Sequence, residues 1–215
     1  GEGHALLEAV SNHFFDDFRV SVMLDSNGSN TTAAAAVAFA RQHIELKGKK
    51  IVILAGTGPV GQRAGVMLAK EGAEVILTSR RIERAQSACD TMARHFDVSL
   101  SAAAASDEQT IAEVLDGANM IFSTGAAGVQ LLDEKQWRDL PDLAVIIDAN
   151  AAPPLGINGI NMLDRGTSRH GKICYGALGF GGLKLEIHRE CISRLFERND
   201  HVFDALEIFA LAKEM

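Results

Sequence analysis

The stretch VILAGTGPVGQRAG, from Val52 to Gly65, places a glycine-rich turn directly after a short apolar run. Gly56, Gly58 and Gly61 have the spacing G-x-G-x-x-G, which indicates dinucleotide binding when it follows a strand and opens a helix. The sequence meets that condition, because residues 50–55 predict a buried strand and the residues after the turn predict a helix. We therefore predict a phosphate-binding turn at the start of an alternating α/β domain.

Each residue of this turn has a physical reason to be there. Gly56 allows the tight turn, Gly58 lets the backbone approach a pyrophosphate, and Gly61 lets helix and strand pack closely. Proline suits the first helical turn because its missing N–H has no partner inside the helix, and the helix N-terminus then points amide groups at phosphates. The predicted cofactor-binding residues here are Gly56, Thr57, Gly58, Pro59, Val60 and Gly61. The alternative is a strand–turn–helix whose glycines have only a structural role.

The end of the second predicted strand indicates which dinucleotide is bound. Ser79, Arg80 and Arg81 stand where a carboxylate usually binds the ribose hydroxyls of NAD, and no acid follows until Glu83. Two permanently charged guanidinium groups would bind a 2′-phosphate through several hydrogen bonds. We therefore predict NADP rather than NAD. The alternative is that both arginines only solvate the start of the next helix.

Strands and helices alternate along most of the chain, which predicts a doubly wound parallel sheet with helices on both faces. The predicted strands cover residues 18–24, 50–55, 73–79, 97–103, 119–124 and 144–150. The main predicted helices cover residues 31–44, 82–96, 107–117 and 131–140, and the final third of the chain is predicted to return to helix at 181–197 and 201–214.

Composition excludes several classes of protein. The chain has 215 residues, 47% of them hydrophobic, and its 21 basic and 28 acidic residues give a net charge of -7, which argues against a nucleic-acid partner. No apolar run reaches the roughly 18 residues of a membrane span, and no secretory signal is evident. Three widely spaced cysteines indicate neither a zinc site nor a disulfide framework, so we expect a cytoplasmic protein. We expect no metal, because His13, His188 and His201 show no ligand spacing.

Four segments carry a resemblance to a known family: DSNGSNTTAAA, GTGPVGQRAGVMLAKEGAEV, AAPPLGINGI and GALGFGGLKLEIHR. In this order they resemble the NADP-dependent methylene-tetrahydromethanopterin/methylene-tetrahydrofolate dehydrogenases of one-carbon-metabolising bacteria, over nearly the whole chain. The resemblance implies NADP on a Rossmann domain, a pterin or folate substrate across a cleft, and a further N-terminal α/β segment in the family. It implies hydride transfer from the methylene bridge to the nicotinamide, giving a methenyl cation, with no general acid or base required.

On this basis the domain organisation is predicted in three parts. Residues 1–45 form part of an N-terminal α/β substrate domain with a linking helix, and residues 46–180 form the NADP-binding Rossmann domain. Residues 181–215 form helices that return to the substrate domain. Their apolar faces would pack either on the domain or on a second copy of the chain, and we expect a homo-oligomer.

The segment LDSNGSNTT is the first candidate for the substrate side of the cleft. Asp25 ends a predicted strand, and Asn27, Asn30 and Thr31 lead into the N-terminus of the Ala-rich helix. Ligands of open α/β units bind beyond the carboxyl ends of strands, and a carboxylate there would favour the developing cation. The equal alternative is that these residues only cap the helix and form the turn.

Two later segments complete the candidate site. Ala149 and Asn150 close a strand on the predicted nicotinamide side, unless their loop is only a rigid crossover. Glycines 179, 181 and 182 predict a flexible loop before a helix that carries Lys184 and His188. Lys184 is a candidate catalytic residue that would contact the pterin or a phosphate, with a solvated surface lysine as the alternative. For His188 we expect only packing on the helix surface.

Two other functions compete with the dehydrogenase. A non-catalytic NADP-binding module would need only the glycine turn and the arginines. A shikimate- or quinate-type dehydrogenase would share the architecture, but the sequence lacks an evident Lys–Asp pair for removing the proton of an alcohol. The two pterins have alike reactive ends, and the sequence does not discriminate between them.

Overall fold

The computed structural model describes residues 2–215, which form alternating helices and strands. The strands are β1 (Val22–Met23), β2 (Lys50–Leu54), β3 (Glu74–Ser79), β4 (Ser101–Ala104), β5 (Met120–Ser123), β6 (Val145–Asp148), β7 (Arg165–Arg169), β8 (Lys172–Tyr175) and β9 (Val202–Phe203). The helices are α1 (Glu2–Ser11), α2 (Ser29–Arg41), α3 (Pro59–Lys70), α4 (Ile82–Phe96), α5 (Glu108–Leu115), α6 (Glu134–Trp137), α7 (Ala177–Leu195) and α8 (Ala205–Ala212).

The main sheet has seven strands in the order β4-β3-β2-β5-β6-β8-β7. All neighbours are parallel except β7, which pairs antiparallel with β8 at the edge. The chain winds outward from β2 in one direction through β3 and β4, and then in the other direction from β5. The predicted doubly wound α/β fold is confirmed, and its topological switch point lies between β2 and β5, where such folds bind ligands. Separately, β1 and β9 form a small parallel pair.

Successive apolar side chains of β2 point to opposite faces of the sheet. Ile51 and Ile53 belong to one buried cluster, together with α2 and α8, whereas Val52 and Leu54 belong to a second cluster with Trp137. The helix α2 is buried on nearly all sides between α3, α7 and α8. Its alanine run allows this, because small side chains let neighbouring helices approach closely. The three-part division into domains stays a prediction.

No strand was predicted for residues 165–175, which precede the helix predicted at 181–197. These residues form the β7–β8 hairpin, which turns at His170 and Gly171 with φ values of 49° and 75°. Two consecutive positive φ values fit the tight turns that match strand twist in hairpins. The strand β7 reads Arg-Gly-Thr-Ser-Arg and lies on an exposed edge, so it lacks the alternation of apolar residues that marks a half-buried strand.

Several predicted boundaries also need correction. The strand predicted over 97–103 begins only at Ser101, because Asp97 ends α4 in a left-handed conformation with φ 50°. The helix predicted over 131–140 is the single turn α6, and the strand predicted over 18–24 is reduced to β1. The predicted glycine loop before the last long helix is wrong as well. Gly179 lies inside α7, where an added Cβ would overlap the backbone carbonyl of Asp164, so this glycine serves close packing.

Candidate active site

The glycine turn between β2 and α3 has the geometry that a bound pyrophosphate requires. Gly58 is the N-cap of α3, with φ -80° and ψ 171°, and Pro59 opens the helix. A Cβ added at Gly58 would meet nothing within 4 Å, so the space beside its backbone is open. A Cβ added at Gly61 would lie 2.6 Å from the Gly56 Cα and 2.7 Å from the Thr124 hydroxyl. Gly61 therefore permits the close packing of helix and strand, whereas Gly58 leaves room for a ligand, and the turn fits a dinucleotide.

A cleft of about 400 Å³ lies beside this turn, at the carboxyl edge of the sheet. Residues that follow β2, β3, β4 and β5 line it, so the cleft spans the switch point of the fold. Its lining consists of Leu54, Ala55, Thr57, Thr78, Ser79, Arg80, Arg84, Ala105, Ser106, Ile111, Gly125, Ala126, Val129, Gln130 and Leu131. Its volume lies within the range of small-molecule sites, and its position is the one that dinucleotides occupy in this architecture.

Of the two arginines predicted to bind the cofactor, only Arg80 lines this cleft. Ser79 and Arg80 line the cleft, but Arg81 does not: its Nε lies 3.6 Å from a Glu83 carboxylate oxygen on the exposed surface. Arg84, in the first turn of α4, lines the cleft beside Arg80 and was missed from the sequence. Arg80 precedes the N-cap of α4, which is Arg81, and Arg84 lies in the first turn of the helix.

The segment after β6 forms a tightly bonded loop at the same edge. The Asp148 carboxylate is fully buried and accepts hydrogen bonds from the backbone N–H groups of Asn150, at 3.1 Å, and Ile157, at 2.9 Å. Burial raises the pKa of Asp148, and these two N–H donors act against the rise. The Asn150 amide donates to the carbonyl oxygens of Ala126 and Pro154, which joins this loop to the cleft lining. Ala149 is half-buried between Asp148 and Asn150.

The Asp25 side chain, only 3% exposed, holds the start of α2. One of its oxygens accepts from the backbone N–H groups of Asn30, at 2.9 Å, and Thr31, at 3.0 Å. The other accepts from the Thr31 hydroxyl at 2.7 Å. Asn30 is buried and donates to the Leu24 carbonyl and to Asp204, at the carboxyl ends of β1 and β9, whereas Asn27 is exposed with φ 53°. These contacts are the ones that the capping alternative predicts for Asp25.

The helix α7 brings two more polar residues to this turn. The Nδ1 of His188 lies 3.2 Å from Asp25 Oδ2. The expectation that His188 only packs on the helix surface therefore needs correction. The Lys184 Cε and Nζ both lie 2.7 Å from the position that a Cβ on Gly28 would take, which places the ammonium over the turn. The i, i+4 spacing predicted that Lys184 and His188 share a side of the helix, but their contact with Asp25 depends on packing between α7 and the turn.

A second cavity, of about 420 Å³, has Asp25 and His188 in its lining. Apolar residues of α1 and β1 form most of its walls, including Leu6, Leu7 and Val10. An apolar cavity with a carboxylate and an imidazole in its lining is suited to a flat heteroaromatic group that carries polar edges.

Two further properties concern the part of the chain that the structure describes. Within residues 2–215, no group of three or more His, Cys, Asp or Glu side chains is arranged to hold a metal ion. Over the same residues, no helix combines the length and the apolar character needed to cross a membrane.

The chain is similar to two proteins of Methylorubrum extorquens strain AM1, although no family profile matches it. It is 51% identical over 215 residues to the Bifunctional protein MdtA, and the match covers 99% of this chain and 75% of that protein. It is 31% identical over 220 residues to the NAD(P)-dependent methylenetetrahydromethanopterin dehydrogenase, covering 98% of this chain and 74% of that protein.

Solved structures share the fold at low sequence identity. A transhydrogenase from Sinorhizobium meliloti matches with a TM-score of 0.58 and 17% identity, over 82% of this chain and 57% of that chain. A dipicolinate synthase from Bacillus halodurans matches with a TM-score of 0.56 and 18% identity, over 80% of this chain and 54% of that chain. At such identities the likeness concerns the fold alone, which is Rossmann-like.

Proposed function

Because this chain belongs to the methylenetetrahydromethanopterin dehydrogenase family, we propose that it oxidises methylene-tetrahydromethanopterin or methylene-tetrahydrofolate with NADP. The structural observation that carries the cofactor half of the proposal is the open space at Gly58, beside a cleft that Arg80 and Arg84 line. The pterin half rests on the family and on the largely apolar cavity that Asp25 helps to line.

The reaction requires alignment more than acid–base chemistry. The methylene carbon loses a hydride, and the positive charge of the methenyl product spreads over the two nitrogen atoms that flank it. The nicotinamide, when bound, supplies the carbon that accepts this hydride. No proton moves with the hydride, so the chain needs no general base, and holding the two carbons together supplies on the order of 7–11 kcal/mol of barrier reduction.

On this proposal the cofactor-binding residues follow the edge of the sheet. The N-terminus of α3 at Gly58 holds the pyrophosphate through backbone N–H groups. Ser79, Arg80 and Arg84 bind the 2′-phosphate, where permanently charged guanidinium groups suit a dianion. The loop containing Ala149 and Asn150 borders the nicotinamide.

The substrate-binding residues belong to the turn before α2 and to α7. The negative charge of Asp25, held by its bonds to Asn30 and Thr31, favours the cationic product and the transition state that resembles it. Lys184 lies over the same turn and donates to the polar edge of the pterin. Asn27, exposed beside them, borders the substrate.

Incubation with NADP and either methylene-pterin is expected to produce NADPH, measured as a rise in absorbance at 340 nm. Initial rates with the two pterins, compared side by side, identify the substrate. A reaction without pterin serves as the control. No rise with either pterin, from protein that still binds NADP in a titration, would show a non-catalytic NADP-binding module instead.

Arg84→Ala is expected to weaken NADP binding by about 1.5 kcal/mol, or roughly tenfold, while NAD binding barely changes. The reason is the loss of one charge-assisted contact with the 2′-phosphate, which NAD lacks. Arg80→Ala should behave in the same way. Arg81→Ala is the matched control, because Arg81 is exposed, faces Glu83 and lies outside the cleft. Titration of each variant with both cofactors checks this, and an equal loss for NADP and NAD would contradict the assignment.

A further inference from the structure

The loop that follows β6 is fastened to the end of that strand by one buried carboxylate. We call residues 149–157 the β6 loop. The two oxygens of Asp148 accept hydrogen bonds from different backbone N–H groups: Oδ1 from Asn150, at 3.1 Å, and Oδ2 from Ile157, at 2.9 Å. A Cβ added to Gly156 would lie 2.7 Å from Asp148 Oδ1, so the loop lies directly against the carboxylate. One side chain therefore holds both ends of the β6 loop.

The β6 loop in turn holds the segment that follows β5. We call this segment, residues 125–131, the β5 loop. Near its start, the Ala126 carbonyl accepts a hydrogen bond from the Asn150 amide at 3.4 Å. At its end, the backbone N–H of Leu131 donates to the Gly156 carbonyl at 2.8 Å. The β5 loop is thus attached near both ends to residues whose own positions depend on Asp148.

The β5 loop forms part of the wall of the dinucleotide cleft. Five of the fifteen residues that line the cleft belong to it: Gly125, Ala126, Val129, Gln130 and Leu131. Both residues that bond to the β6 loop are among these five. Asp148 itself does not line the cleft, so any effect that it has on a bound cofactor passes through the two loops.

We propose that Asp148 is a positioning residue for the dinucleotide, because it holds the β6 loop and thereby fixes the part of the cleft wall that the β5 loop forms. The inference rests on the proposed function in that this cleft binds a dinucleotide. A wall that is already ordered before binding spares the cofactor the cost of ordering it. Arg80 and Arg84 belong to the part of the lining that follows β3. Asp148 therefore supports the binding of NADP and of NAD to the same degree.

The bonding of Asp148 makes Asp148→Asn a disruptive substitution. An asparagine side chain has one oxygen that accepts hydrogen bonds and an NH2 group that only donates them. Because the two backbone N–H groups bond different oxygens, either orientation of the amide sets its NH2 group against one of them. Asp25 differs, since the backbone N–H groups of Asn30 and Thr31 share one of its oxygens. A buried donor without an acceptor is costly, so Asp148→Asn should release the β6 loop.

Titrations with NADP and with NAD, together with amide hydrogen exchange of the cofactor-free protein, test the proposal. Asp148→Asn is expected to raise the dissociation constants of both cofactors by roughly tenfold and to leave their ratio at the wild-type value. Arg84→Ala should instead change that ratio. Amide exchange in the β5 loop should become faster in Asp148→Asn, because the bonds that hold this loop open more often.

Asp164→Asn is the matched control. Asp164 is also buried in a loop and accepts the backbone N–H of Asn161 at 2.8 Å. Its other hydrogen-bond partner is Arg169, and none of these three residues lines the cleft. Asp164→Asn should lower the melting temperature and leave both dissociation constants, and amide exchange in the β5 loop, at their wild-type values.

Wild-type affinity for both cofactors in a folded Asp148→Asn protein would overturn the proposal, and so would equal losses of affinity in the two aspartate variants. A loss for NADP alone would also overturn it, because the effect would then lie at the 2′-phosphate. If Asp148→Asn does not fold, Gly156→Ala makes the same test, since its Cβ displaces the β6 loop from Asp148 and removes no hydrogen-bonding group. A wild-type protein that binds neither cofactor would contradict the proposed function itself, and the positioning role with it.

Discussion

Gly58→Val is expected to abolish cofactor binding while the protein keeps nearly its wild-type melting temperature. The backbone of Gly58, at φ -80° and ψ 171°, is in the extended region that valine adopts readily, and a Cβ there touches no protein atom within 4 Å. The branched side chain instead fills the space that the pyrophosphate needs. Charge-assisted hydrogen bonds contribute about 1.5–3 kcal/mol each, so losing two of them lowers NADP affinity by roughly a hundredfold or more.

Gly61→Ala is the matched comparison, because it lies in the same turn and has the opposite surroundings. Its added Cβ would lie 2.6 Å from the Gly56 Cα, and backbone cannot move aside as a flexible side chain can. Overpacking of this kind costs typically about 1–3 kcal/mol of stability. Thermal unfolding and an NADP titration on both variants separate the two roles. Normal NADP affinity in a folded Gly58→Val protein would show that the turn does not hold phosphate.

The part of the fold that was predictable is the part governed by local pattern. The strand β2, its glycine turn and α3 each have residues that favour their own conformation, and β3, α4 and β5 follow at the predicted places. The sequence did not predict the β7–β8 hairpin, because the features that identify these strands depend on tertiary contacts. The strand β8 is defined by its parallel pairing with β6. The strand β7 carries polar residues and lies on an exposed edge of the sheet. His170 and Gly171 were the local signal of a tight hairpin turn.

The candidate site was likewise predictable only where local sequence pattern determines it. The position of Ser79 and Arg80 at the cleft follows from their place at the end of a strand in an alternating α/β chain. The separation of Arg81 from Arg84 does not, since it depends on how α4 turns after β3 and on the neighbouring Glu83. The contact between His188 and Asp25 joins residues 163 positions apart. Sequence spacing within α7 contains no information about which turn that helix packs against.

Asp25→Asn is expected to lower kcat and kcat/KM together, by about 2–4 kcal/mol of transition-state stabilisation. In the proposed mechanism the carboxylate interacts with the positive charge that develops on the substrate, and asparagine keeps the size but removes the charge. The substitution is structurally mild. The remaining carbonyl oxygen can still accept from the backbone N–H groups of Asn30 and Thr31, and the new amide faces the Thr31 hydroxyl, which can accept a hydrogen bond. NADP affinity measured without pterin should not change, because Asp25 lies outside the dinucleotide cleft.

A variant of a second aspartate, Asp107, distinguishes the loss of a catalytic charge from the loss of a helix cap. Asp107 caps α5 by accepting from the backbone N–H of Thr110 at 2.9 Å, as Asp25 does at the start of α2. Asp107→Asn therefore removes a charge from a capping residue that belongs to a different helix, and kcat should stay at the wild-type value. Steady-state kinetics, thermal unfolding and NADP titration on both variants complete the comparison. If Asp25→Asn behaves like Asp107→Asn, with a small loss of thermal stability and unchanged kcat, Asp25 only holds the turn and the charge that favours the methenyl cation lies elsewhere.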